Sequence, residues 1–288
     1  MAVIILLIIA MFIAFIPVFR CMALHPAHTL YFAVKDIYKW FRYCRWREYR
    51  GYGTLTLFCG LFGKGKTLSS VVYARRIYKR YNGRKVYDFA EEKWKTQYIN
   101  IVSNVDIRDI PYIKLNNLSD IITITQHNDG VSCWLIAIDE MSTQVNSRDY
   151  KTNFSTDLLN VLLTCRHYRL QIIGSSQRFA HVDALVRQVT QNAIECKKFW
   201  RVVEWQIFDA WKIENTADIT KIKPNKTKTI FVTDKDFNSY DTTACVESFK
   251  ENVAKGNHLT DKEIMEFQTQ AENFVVANMK RKFRKKVS

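Results

Sequence analysis

FCGLFGKGKTLSS, residues 58–70, gathers three of the chain's nine glycines and follows them with the pair Lys66-Thr67. Within it Gly60 to Thr67 spell G-x-x-x-x-G-K-T, a spacing that lets a backbone curl around phosphate oxygens. The flanks decide whether such a loop is placed to work. Upstream, Thr54 to Cys59 (TLTLFC) is β-branched and apolar and reads as a buried parallel strand. Downstream, Leu68, Val71, Val72, Ala74, Ile77 and Tyr78 recur at helical spacing until Asn82-Gly83 stops the run. Strand, glycine loop and helix follow in the order that phosphate binding requires. The nucleotide-binding set is therefore Gly60, Leu61, Phe62, Gly63, Lys64, Gly65, Lys66 and Thr67, with Leu68 opening the helix. Lys66 is expected on the β- and γ-phosphates and Thr67 on a Mg²⁺ ion, while Lys64 turns to phosphate or to solvent.

A nucleotide loop needs a carboxylate on the metal side. Cys133 to Ile138 (CWLIAI) is a second apolar strand and runs into Asp139-Glu140. Asp139, at the strand's carboxyl edge, is expected to hold Mg²⁺ with Thr67, and Glu140 to act as general base on a water. A third strand, LQIIGSSQ (Leu170 to Gln177), ends in polar residues, which places Gln177 where an open parallel sheet binds its ligands. Arg166 and His167 precede that strand at the end of an expected helix. They read either as charges on the helix dipole or as a source of an arginine finger for a neighbouring copy, a role open equally to Arg148, Arg178 and Arg187. ATP and Mg²⁺ are the expected ligands, and the expected fold is an α/β P-loop NTPase with a mostly parallel central sheet flanked by helices.

The amino terminus is of another kind. Ala2 to Phe19 carries no charge over eighteen residues, enough for a helix across a ~30 Å hydrocarbon layer. With no basic residue ahead of it and no tidy cleavage site after it, an uncleaved anchor at residues 1–24 is preferred to a signal peptide. Arg20, Lys35, Lys39, Arg42, Arg45, Arg47 and Arg50 follow the run, which orients the remainder to the cytoplasmic face of an inner membrane. Aromatic residues from Tyr31 to Trp46 interleave with these charges, so residues 25–50 suit either an anionic lipid surface or packing on the next domain.

The net charge of +15 over 288 residues fits an anionic partner, nucleic acid or membrane. Seven scattered cysteines, none in a C-x-x-C pair, read as reduced and mostly buried thiols. Residues 51–250 form the expected ATPase domain, within which FWRVVEWQIFDAW reads as strand and Thr216 to Thr229 as loop. Residues 251–288 form an expected final helix, started by the capping box Thr260–Glu263. Ile264, Phe267, Ala271, Phe274, Val275 and Asn278 mark its one face, and six basic residues among the last nine make a phosphate-binding tail.

In order, the phosphate loop, YINIVSNVDI, LIAIDE, LLTCRHYRLQIIGSSQ, VDALVRQVT and SYDT resemble the zonula occludens toxin-like family. That family includes the assembly ATPases of filamentous phages and falls in the FtsK–HerA branch of P-loop motors. The resemblance covers roughly residues 52–245. It implies a membrane ATPase, oligomeric and in all expectation ring-forming, that extrudes or packages viral DNA and meets coat or other assembly proteins. In the phage relatives the span usually follows the ATPase domain, whereas here it precedes it and no second apolar span follows residue 200. A packaging ATPase of a tailless, membrane-containing virus is therefore the companion expectation.

Overall fold

The structure, a computed structural model, describes residues 1, 16–144, 156–216, 221–241 and 258–287. The chain opens with helices α1 (Pro17–Leu24) and α2 (Pro26–Arg42), then strand β1 (Thr54–Cys59) and helix α3 (Lys66–Tyr81). Strands β2 (Arg84–Asp88), β3 (Lys93–Gln97), β4 (Ile99–Ser103), β5 (Asp106–Ile107) and β6 (Ile113–Lys114) lead to helix α4 (Asp120–Thr125). Strand β7 (Cys133–Ile138), helices α5 (Met141–Gln144) and α6 (Thr156–Leu163), strand β8 (Leu170–Ser176) and helix α7 (Ala184–Val189) follow. The remainder comprises β9 (Asn192–Phe199), β10 (Val202–Asp209), α8 (Ala210–Asn215), β11 (Lys226–Phe231), α9 (Asp234–Phe237), β12 (Tyr240–Asp241) and α10 (Asp261–Val287).

Two compact units share the chain. One comprises residues 1–48 and 86–94, the other residues 49–85 and 95–288. The larger unit is built on an eight-stranded sheet of order β11-β10-β9-β1-β8-β7-β4-β6. From β9 to β6 all neighbours are parallel, and β10 and β11 extend the sheet antiparallel. Strand alternation sorts the core into two layers. Leu55, Leu57, Ile136, Ile138 and Ile172 pack on one face with Leu158 and Val161 of α6 and Ile264 and Phe267 of α10. Phe58, Ile101, Leu135 and Ile173 pack on the other with Leu68, Val71, Val72 and Ile77 of α3. The loop after β1 thus emerges at the carboxyl edge of a central strand, where the backbone is held on both sides.

Helix α10 belongs to this unit. Its capping box is present, with Thr260 N–H donating to Glu263 Oε2 at 2.8 Å and Glu263 N–H to Thr260 Oγ1 at 3.4 Å. Ile264, Phe267, Ala271 and Val275 are buried as the spacing predicts, whereas Phe274 on the flank of that stripe is exposed. Two further expectations are corrected. Residues Lys226 to Thr229 are strand β11, not loop, and their exposed Lys/Thr alternation is that of a sheet edge with little to bury. The helix before β8 ends at Leu163, so Arg166 and His167 stand in the turn beyond it.

In the smaller unit none of the residues of α1 or α2 is buried. Prolines at the first position of each helix separate them, since proline is tolerated there and breaks a helix elsewhere. The distal part of the β2–β3 pair carries Tyr87, Phe89 and Trp94, and Tyr43 stacks on Tyr87 at 4.3 Å and on Phe89 at 5.1 Å. The apolar run Ala2 to Phe19 falls mostly on residues 2–15, outside the described ones. Among the described residues no helix is long and apolar enough to cross a membrane.

Gly174 lies mid-sheet in β8, beneath the carboxyl edge. A methyl group there would sit 2.5 Å from Leu57 Cδ2 and 2.6 Å from Met141 Sδ. Gly174→Ala is expected to destabilise the chain by about 1–3 kcal/mol through overpacking, read as a lowered denaturant midpoint with an unchanged slope.

Candidate active site

Three neighbouring strands, β1, β8 and β7, bring the site together at their carboxyl edges. β1 delivers the phosphate loop, and α3 begins at Lys66 with Gly65 as its cap. Gly63 (φ 73°) and Gly65 (φ 80°) take left-handed conformations that side chains resist, so the loop's curl depends on both. The Lys198 Cδ lies 3.4 Å from where a Cβ on Gly65 would stand. Lys66 is buried at the helix start, while Leu61, Phe62, Gly63 and Lys64 are exposed on the loop's rim.

The Thr67 hydroxyl donates to both oxygens of the Asp139 carboxylate, at 3.0 and 3.1 Å. Lys66 Nζ stands 3.3 Å from Glu140 Oε1, so each member of the lysine–threonine pair faces one of the tandem acids. β8, lying between β1 and β7, supplies Ser175. Its hydroxyl donates to Asp139 Oδ1 and accepts the Glu140 backbone N–H at 3.1 Å. Glu140 itself is left-handed (φ 49°), a conformation that costs a non-glycine residue and recurs at functional sites.

Sequence reading misses Asn104. It follows β4, the outer neighbour of β7, and is 5% exposed. Its Oδ1 accepts the Asp139 N–H at 2.8 Å and its Nδ2 donates to the Asp139 carbonyl at 3.2 Å. The amide continues the sheet ladder with a side chain and fixes the peptide that carries the metal-side carboxylate. A polar amide directly after a buried strand was the available sign.

The remaining candidates separate. Gln177 follows β8 beside the loop's first residue, for Gly60 N–H donates to the Ser176 carbonyl at 3.3 Å. It lines a cavity of about 640 Å³ with Gly60, Leu61, Arg178 and Phe179. Arg187 borders that cavity but is saturated, donating to Glu214 at 2.7 and 3.0 Å and to the Val182 carbonyl at 2.6 Å. Arg148 lies outside the described residues. Arg166 is not brought to the site. Its Cβ abuts Gly53, ahead of β1, so the strand's length of about 20 Å separates it from its own phosphate loop. In a parallel sheet a residue preceding a strand stands at the end opposite its carboxyl edge, and that polarity excludes Arg166 from its own chain's site.

Burial holds the Asp139 carboxyl above the usual carboxylate range. The Ser175 and Thr67 hydroxyls oppose the shift, Glu140 adds to it and Lys66 opposes it. Burial also pushes the Cys59 and Cys196 thiols up to about 12, so these cysteines beside the loop are packing groups rather than nucleophiles.

No protein-family model and no curated protein matches the chain. Solved structures do. The N-terminal domain of zonular occludens toxin from Neisseria meningitidis is 12% identical, with TM-score 0.44, over 65% of this chain and 98% of that one. The genome packaging NTPase B204 from Sulfolobus turreted icosahedral virus 2, in complex with ATP-gammaS, is 13% identical, with TM-score 0.37, over 63% and 98%. Thermomonospora curvata EccC (ATPases 2 and 3) is 9% identical, with TM-score 0.38, over 70% and 41%. At these identities and TM-scores none of the three speaks to what this chain acts on. The G-x-x-x-x-G-K-T loop between β1 and α3, with paired acids after β7, is the arrangement of a phosphate-binding P-loop site.

Two outcomes follow from the geometry. The native Asp139 carboxyl keeps its proton to higher pH than the unfolded one. Its stabilising contribution is thus full below about pH 4 and is lost as pH rises through the native value. Without nucleotide or metal, Asp139→Asn is expected to raise the denaturation midpoint at about pH 7.5 while abolishing turnover, the stability gain vanishing toward about pH 4. Asn104→Ala removes both bonds to the Asp139 peptide and is expected to cost about 1–3 kcal/mol in stability. It should lower kcat more than it changes KM, as steady-state kinetics would show.

Proposed function

We propose that this chain is an ATP-hydrolysing motor tethered at the cytoplasmic face of a membrane, acting as a ring of copies to move viral DNA during virion assembly. The observation that carries the hydrolytic part is the pairing of Thr67 with Asp139 and of Lys66 with Glu140 at one sheet edge. Hydroxyl and carboxylate oxygens 3.0 Å apart are the hard-donor set that suits Mg²⁺, which keeps most of its waters. When bound there, Mg²⁺ would be held by Thr67 and Asp139 and would neutralise charge on the phosphates. The loop's N–H groups and the start of α3 cradle the phosphate chain, and Lys66 meets its β- and γ-oxygens. A terminal phosphate competes with Glu140 for the Lys66 ammonium. Glu140, so released, orients and deprotonates the attacking water, with Gln177 at the adjacent strand end contacting the terminal phosphate or that water.

Support for the remainder is coarser. The net charge of +15 suits DNA, and the motif order resembles that of phage assembly ATPases. The span at residues 1–24, the lipid-facing segment after it and contact with coat or other assembly proteins belong to the same reading. Phe19, Met22, Tyr31, Phe32, Trp40 and Phe41 stand exposed on α1 and α2 among basic residues, as on an anionic membrane surface. Both extrusion of a filamentous particle and packaging into a tailless, membrane-containing one fit this arrangement.

The test is phosphate release by the full-length chain, alone and with single- or double-stranded DNA. DNA should stimulate turnover, Lys66→Ala should abolish it, and Glu140→Gln should retain ATP without cleaving it. Normal hydrolysis by Glu140→Gln would remove the base assignment. Failure of either DNA form to stimulate would turn the reading toward a nucleotide-dependent membrane scaffold.

A further inference from the structure

The carbonyl of Gly65 carries two hydrogen bonds from one residue. The Ser69 N–H donates to it at 2.9 Å, as the first turn of a helix requires, and the Ser69 hydroxyl donates at 2.6 Å. That hydroxyl in turn accepts the indole N–H of Trp205 at 2.9 Å. Ser69 is wholly buried on α3 and Trp205 is 3% exposed on β10, so water replaces neither partner. The indole packs on Phe58 of β1 at 5.6 Å and 73° and on Tyr73 of α3 at 6.1 Å and 67°. Rings on two sides leave its N–H one direction.

Buried indoles ordinarily find an acceptor, and helical serines often bond four residues back. What distinguishes this chain of bonds is where it ends. Gly65 is the left-handed residue (φ 80°, ψ 28°) that closes the phosphate loop and caps α3, and among the described residues no side chain caps that helix start. The Gly65 carbonyl and the Lys66 N–H belong to one peptide, and a trans peptide points the two in opposite directions. Pinning the carbonyl along α3 therefore aims the Lys66 N–H out of the helix start. There it joins the donors that lack an intrahelical partner and receive phosphate. A hydroxyl has a single proton, and the Trp205 donor turns that proton toward the carbonyl. We propose that Trp205, acting through Ser69, is a positioning residue for the phosphate loop: it fixes the Gly65–Lys66 peptide so that its N–H meets the nucleotide's phosphates. Cys196, directly across from Trp205 on β9, borders the same hydroxyl and fills the space beside it. This inference rests on the ATP-hydrolysing reading above and names what holds its loop in shape.

Steady-state phosphate release by the full-length chain with Mg²⁺ and ATP tests it, alongside denaturant midpoints. Ser69→Ala and Trp205→Phe should each raise KM about tenfold with kcat held within about twofold, since a bond made before and during transfer is uniform binding. The double variant should lose no more than Ser69→Ala alone, because a single relay is broken only once. Tyr49→Phe removes a buried hydrogen bond to Gln171, which lies beside the first residue of β1, at the end of that strand away from the loop. It should lower the midpoint comparably and leave KM as it was. Should Trp205→Phe fail to fold, benzothienylalanine at that position keeps the indole's shape without its N–H and should raise KM alike. If KM is unchanged in the Ser69 and Trp205 variants, the relay is wrong and the ATP-hydrolysing reading stands. If the two losses multiply in the double variant, or Tyr49→Phe raises KM as much, the effect is general loosening and the proposal falls. If the wild type releases no phosphate, the proposal falls together with that reading.

Discussion

The hydroxyl of Thr67 and the carboxylate of Asp139 meet at 3.0 Å although they come from elements separated by a whole strand. Thr67 rides on the first turn of α3 and Asp139 follows β7, with β8 between β1 and β7. The contact forms only if β1, β8 and β7 are parallel, in register and cut off at the same edge. Leu57 opposite Gly174, and Gly174 opposite Ile138, provide that registration. Gly174 allows the close approach by having no side chain where Leu57 and Met141 need the space. The nucleotide chemistry therefore depends on sheet order as much as on the loop's own sequence.

Holding an acid there is costly, and the structure shows how the cost is contained. Burial disfavours the charged form of Asp139, while hydrogen bonds from Ser175 and Thr67 favour it. Asn104 and Ser175 come from the strands on either side of β7 and grip the Asp139 and Glu140 backbones. Glu140 keeps its left-handed turn because its neighbours over-determine it. A residue held in this way has a defined direction before any ligand arrives, which is what preorganised electrostatic catalysis needs.

Much of this was legible in the residues. Thr54–Cys59 and Cys133–Ile138 are strands at the boundaries that their apolar runs mark, because both faces of a central parallel strand are buried and the signal is continuous. Strand β11 was not legible, since an edge strand that buries little beyond Ile230 carries no such signal. Thr67, Asp139, Lys66 and Glu140 were named by motif, and the sheet brings the four to one edge. Asn104 and the Ser175 contact with the Glu140 N–H escaped because they act on backbone, which leaves no charge pattern in the sequence. Arg166 lies beside Gly53 at the end of β1 opposite the phosphate loop, so its place relative to its own site follows from strand direction, which no motif records. The alignment of Phe199, Val202 and Phe231 across β9, β10 and β11 was hidden too, because only the antiparallel register brings Phe231 to the other two.

The central claim is that the Thr67–Asp139 edge serves a metal-bound triphosphate. Its most direct test is phosphate release from ATP by the full-length chain with Mg²⁺, after chelation, and after Mg²⁺ is restored. The account predicts turnover that collapses on chelation and returns with the metal. Turnover indifferent to Mg²⁺, or none with Mg²⁺ and ATP present, would contradict it.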